Sequence, residues 1–138
     1  MGTGVRILWN ILGPKIFPIL YTDWRKSQKE GVEAYCKDRE KAHVLVAELN
    51  GTVTGFLAYE LNMDEGKGEV MLLAVHPDCQ NDGIGTELNI VALEAMKEVG
   101  MTLAVVGTGG EEGHAPARRS YEKAGYTPLP LVRYYKKL

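Results

Sequence analysis

Cysteine is scarce here, and its scarcity is the first constraint. Only Cys36 and Cys79 occur in 138 residues. They match no metal-ligand spacing and are too few for a disulfide framework, which points to a reducing cytoplasm while leaving a single bridge between them open. No apolar run approaches the roughly 20 residues of a membrane span, and the start lacks the basic stretch, apolar block and small-residue cleavage site of a signal peptide. Met1-Gly2 opens like a myristoylation site, but Arg6 stands where that motif wants Ser or Thr. A surplus of positive charge is also missing. The formal net charge is −2, so neither nucleic acid nor a membrane is an expected partner. With no internal repeat and no low-complexity linker, residues 1–138 read as one domain, long enough to bury about two-thirds of its unfolded surface.

Turn and helix signals divide the chain. Residues 1–20 are apolar and broken by Gly13, Pro14 and Pro18, with "VRILWNIL" a candidate strand. Thr22 to about Lys37 reads as a surface helix, capped by Thr22 or Asp23. "HVLVAEL" and "TVTGFLAYEL" are β-rich and joined by Asn50-Gly51, the pair a two-residue hairpin turn demands. "EVMLLAV" is apolar without alternation, which predicts a strand covered on both faces. From Ile84, the residues Leu88, Val91, Ala92, Ala95, Met96 and Val99 form an amphipathic stripe that Gly100 closes. "TLAVV" reads as another buried strand. A loop "GTGGEEG" then leads to a short helix with Pro116 in its first turn and Gly125 at its end, and "LVRYYKKL" suits an edge strand. The order predicts a mixed α/β sheet with helices on both faces.

"CQNDGIG", Cys79 to Gly85, sits where a strand ends and a helix begins. Such a turn makes a nest of free backbone N–H groups at the positive end of a helix dipole, which suits phosphate. Glycines at 83 and 85 let an oxygen-rich group approach the backbone, or serve only a tight turn that needs positive φ. There is no third glycine for a dinucleotide fingerprint and no Gly-Lys-Ser/Thr for a P-loop. Asp82 either points to solvent or caps the helix, where its charge is favourable.

Gln80, Asn81, Asp82, Gly83, Ile84 and Gly85 match the pattern Q/R-x-x-G-x-G/A. Together with "LLAVHPDCQ" before it and "HAPARRSYEKAGYTPL" after it, this resembles the GNAT superfamily of acetyl-CoA-dependent N-acetyltransferases over about residues 44–138. Residues 1–43 form a divergent N-terminal part, with one convincing helix where the family has a strand and two. The resemblance implies a GNAT acyl-CoA N-acyltransferase fold whose central strands splay apart around acetyl-CoA. Transfer to a primary amine, small molecule or protein, then proceeds by direct attack in a ternary complex without a metal. A non-catalytic acyl-CoA-binding or sensing domain is the alternative, and homodimers are common in the family.

The resemblance also implies roles. Backbone groups of Gln80, Asn81, Asp82, Gly83, Ile84, Gly85 and Thr86 hold the pyrophosphate, and Leu73, Ala74 and Val75 pair with the pantetheine arm. Ala117 permits close contact with the cofactor, and His114, standing where many relatives have Asn, makes a polar contact to the cofactor arm. Tyr121 matches the family's general acid: a phenol of pKa ~10 can protonate a thiolate whose acid has pKa ~8.5. Without the motif it reads as a buried helix tyrosine. Glu69 sits where several members place a catalytic glutamate, with Glu60 a second candidate whose like charge could raise one pKa. Either is otherwise a solvated strand carboxylate. Arg118, Arg119 and Lys123 are candidates for the CoA phosphates or plain surface charges. Acceptor choice falls to the N-terminal part, with Tyr21, Asp23, Trp24, Glu30 and Glu33 as pocket or surface residues, and to the loop Leu61–Gly68.

Overall fold

The computed structural model describes residues 14–16 and 42–138. The candidate strand over 5–12 and the helix over 22–37, with Tyr21, Asp23, Trp24, Glu30 and Glu33, lie outside the described residues. Four strands form one mixed sheet in the order β1 (Ala42–Leu49), β2 (Thr52–Asn62), β3 (Lys67–Val75) and β4 (Leu103–Val106). β1–β2 and β2–β3 are antiparallel, and β3–β4 is parallel.

The β1–β2 turn forms at Asn50 and Gly51 as expected, with φ of 53° and 79°, the positive values a tight hairpin needs. β2 runs further than its sequence suggests, so the expected loop Leu61–Gly68 shrinks to the turn Met63–Gly66. Thr54, buried, donates its hydroxyl to the Ala47 carbonyl at 3.3 Å, where the β1–β2 register shifts.

Helix α1 (Ile84–Glu98) crosses β1, β2 and β3, and α2 (Ala115–Lys123) packs against α1. Leu57 and Tyr59 from β2, Val70 from β3, and Leu88, Ala92 and Met96 from α1 form the buried core. Two glycines seat α1 on the sheet. A Cβ at Gly55 would press on Ile84, and one at Gly68 would overlap the Met96 side chain. The two ends of the helix therefore approach bare backbone. Both helices end in a glycine-terminated hydrogen-bond pair: Met101 and Gly100 donate to Met96 and Lys97, and Tyr126 and Gly125 donate to Tyr121 and Glu122. This is the left-handed stop expected at Gly100 and Gly125.

Several expectations need correction. The buried stripe of α1 runs through Leu88, Ala92 and Met96, while Val91 and Val99 are exposed, because a 100° step per residue carries them off the sheet-facing side. β4 is not a buried strand: it ends the described sheet and alternates, Leu103 and Val105 outward, Ala104 and Val106 toward the core. β3 is not covered along its length. β4 pairs only with Lys67–Val70, leaving Met71–Val75 without a neighbour on that side among the described residues, and Ala74 is exposed. Residues 126–138 form no strand, since Pro128 and Pro130 deny the ladder two donors. Among the described residues α1 packs on the sheet and α2 on α1; the helix expected over 22–37 lies outside the described residues.

Candidate active site

The parting of β3 from β4 after Val70 opens a cleft, and the chain fills its rim with backbone. After Val75 the strand ends in a 3-10 turn, Pro77–Cys79. His76 closes it by accepting the Asp78 N–H at Nδ1, 3.1 Å away, and the Gln80 side chain reaches back to the Val75 carbonyl at 3.3 Å. Asn81 takes φ of 70° and Gly83 takes 82°, so the chain turns sharply into α1. Asn tolerates the left-handed region and Gly prefers it.

Gly83 is the N-cap of α1 and offers no side chain to cap it. The first intrahelical bond runs from Glu87 N to Gly83 O at 3.0 Å. The N–H groups of Ile84, Gly85 and Thr86 therefore precede any intrahelical partner. A Cβ at Gly83 would meet nothing within 4 Å, so that space is open. At Gly85 a methyl would touch Ser120 of α2 at 3.4 Å. Gly85 thus also permits the close approach of the two helices. Asp82 is exposed and makes no capping bond, which resolves its two readings in favour of solvent.

These elements bound a cavity of about 760 Å³. Leu73 and Val75 from the open strand, Gln80, Asn81, Gly83, Ile84, Gly85 and Thr86 from the turn and helix start, His114 from the turn that caps α2, and Ala117 from α2 line it. Ala74 and Asp82 do not; strand alternation turns the Ala74 side chain to the other face. Cys79, which opens the quoted motif, also lines it, as do Glu112 and Ser120, which sequence reasoning missed. Cys79 is a free thiol, and Cys36, the partner left open above, lies outside the described residues. Arg119 and Lys123, four residues apart on α2, both reach the cavity. Arg118 does not: its Nη1 donates to the carbonyls of Gly109 at 2.6 Å and Glu111 at 2.7 Å. Two helix N-termini and two cationic side chains give this space a positive field.

Tyr121 is buried and is not among the lining residues. It meets Tyr126 edge-on, ring centroids 5.9 Å apart. Burial raises its phenol above the ordinary value, and Tyr126 is pushed up to about 12 by burial and by Tyr121. Glu69 and Glu60 lie elsewhere. They are direct partners across the β2–β3 ladder and line a second cavity of about 550 Å³ with Met63, Asp64 and Val105. Their neighbours Tyr59 and Val70 point into the core beneath α1, so strand alternation turns both carboxylates to the opposite sheet face. The structure brings the predicted cradle residues together, and separates them from Tyr121 and from the carboxylate pair.

A splayed mixed sheet whose gap is faced by an uncapped helix start defines the acyl-CoA N-acyltransferase class of fold. Residues 13–126 match the model of the Acetyltransferase (GNAT) family, and the chain belongs to that family. An uncharacterized N-acetyltransferase of Archaeoglobus fulgidus is 35% identical over 107 residues, covering 72% of this chain and 71% of that protein. The mycothiol acetyltransferase of Sanguibacter keddieii is 32% identical over 88 residues, 60% of this chain. The match spans only 27% of that relative's length. Among solved structures, the IAA acetyltransferase of Bacillus cereus superposes with a TM-score of 0.63 at 26% identity, over 74% of this chain and 64% of that one.

Proposed function

We propose that this chain transfers an acetyl group from acetyl-CoA to a primary amine by direct attack. The observation that carries the reading is the cradle: free N–H groups at Ile84, Gly85 and Thr86 opening on space that no side chain of Gly83 fills. Those N–H groups, aided by Arg119 and Lys123, suit the coenzyme's diphosphate. The open edge of β3 at Leu73–Val75 offers backbone partners to its amide-bearing arm.

Family membership supports the chemistry. An amine arriving as an ammonium sheds two protons, one before attack and one as the C–N bond forms, and the departing sulfur gains one. Glu69 lies one residue from the point where β4 leaves β3. There it takes the first proton of an ammonium that enters from its face of the sheet to meet the thioester in the gap, with Glu60 beside it. Tyr121 supplies the sulfur: a phenol raised by burial stays protonated at neutral pH. Cytosolic work suits a protein whose Cys79 is a free thiol beside the site.

The test is thiol release from acetyl-CoA across kanamycin, spermidine and an alanine-starting peptide, with acetyl-CoA binding followed by calorimetry. Turnover with one of these amines, lost in Tyr121→Phe, is expected. Tight binding of acetyl-CoA without turnover of any amine would replace the enzyme with an acyl-CoA-binding or sensing domain.

A further inference from the structure

Resting on that acetyltransferase reading, we propose that His114 takes the second amine proton, with Glu111 as its positioning residue. His114 stands at the start of α2, lines the cleft, and leaves 39% of its side chain exposed. Its Nδ1 is hydrogen-bonded to Glu111 Oε1. Glu111 is three residues earlier, and its side chain is only 10% exposed. A carboxylate accepts from Nδ1–H and so leaves Nε2 with a free lone pair. Among the described residues no hydrogen bond engages Nε2.

The loop around this pair is built for it. A Cβ at Gly109 would overlap the Glu111 carboxylate, so any larger residue there displaces the group that orients the imidazole. Arg118 holds the loop from the helix side through the carbonyls of Gly109 and Glu111. The other titratable or charged groups facing the cavity are Cys79 from the 3-10 turn, Glu112 beside His114, and Arg119 and Lys123 from α2. His114 is the one of these, among the described residues, that is hydrogen-bonded to an orienting carboxylate. The sequence signal was an acid three residues before a histidine in a glycine-rich loop.

The step balances. The amine nitrogen bonds to the thioester carbon while the carbon–sulfur bond breaks, and one N–H proton passes to Nε2. Glu111 neutralises the imidazolium that results. The sulfur takes its proton from Tyr121, and the imidazolium returns one to the phenolate through water. His114 ends neutral, and acetamide and thiol are released.

Two measurements on the whole protein test this. Long-range nitrogen NMR reads the ring directly and needs no acceptor: the Nδ1–H tautomer is expected in the wild type and its loss in Glu111→Gln and Gly109→Ala. A wild-type ring protonated at Nε2 would overturn the proposal. The second is the split between kcat and KM with acetyl-CoA and the best amine of the panel. His114→Gln should lower kcat by about 100-fold with a much smaller change in acetyl-CoA affinity. Gly109→Ala, which keeps both charges, should move in the same direction by less and covers the case in which His114→Gln fails to fold. Acetyl-CoA binding without turnover of any amine would fell the acetyltransferase reading and this role with it. Wild-type kcat in a folded His114→Gln variant would fell the role alone.

Discussion

Glu60 and Glu69 sit directly opposite one another on neighbouring strands, two carboxylates on one face of the sheet. Like charges so placed destabilise a ladder by about 0.2–1 kcal/mol. Replacing either with Gln should therefore raise the melting temperature slightly while lowering kcat/KM for a cationic amine by about tenfold or more. A higher melting temperature with unchanged kcat/KM would leave the pair without a role in acceptor handling.

Gly83 separates backbone strain from occupancy of the cradle. Its φ of 82° disfavours most side chains, so a branched substitution would confuse the two effects. Asn tolerates that region, as Asn81 shows at 70°. Gly83→Asn should keep thermal stability within about 1 kcal/mol and weaken acetyl-CoA binding by tenfold or more, on the order of 1.4 kcal/mol. Calorimetry at equal affinity would remove the diphosphate from this loop.

Asp82 is exposed next to a site proposed to bind a polyanion. Asp82→Asn should tighten acetyl-CoA binding by a few-fold at low salt, and the gain should shrink above about 0.1 M ionic strength as screening sets in. A gain that ignores salt would point to a local conformational cause.

Tyr126 carries a buried hydroxyl with no hydrogen-bond partner among the described residues. Removing it in Tyr126→Phe should stabilise the fold at neutral pH by about 1 kcal/mol. The alkaline behaviour has a definite sign. With a folded value of about 12 against an ordinary 10.0, the unfolded chain gives up its proton first, so stability is full below about pH 10 and falls as pH rises toward 12. Denaturant titrations across that window should show a shallower fall in the Phe variant. Identical slopes would mean that Tyr126 ionises as if exposed.

Local chemistry made much of the fold legible. Asn50-Gly51 fixes its hairpin, and Gly100 and Gly125 stop their helices, because each needs only its own backbone to act. The motif around Gly83 likewise announced a helix start with free donors. What escaped depends on partners distant in sequence. Nothing in "EVMLLAV" says that β4 accompanies it only to Val70, or that the Ala74 face stays exposed. Val91 and Val99 looked buried because propensity cannot say which side of a helix meets the sheet. Glu111 passed unnoticed because its value lies in the histidine, glycine and arginine gathered around it.

The edge of β3 from Met71 to Val75, unpaired among the described residues, has a consequence for handling the protein. Unpaired donors and acceptors on an apolar strand are a template for any other extended chain. A coenzyme lying along that edge would act as a shield against self-association, so the protein's shelf life at high concentration would depend on how well it is supplied with its own substrate.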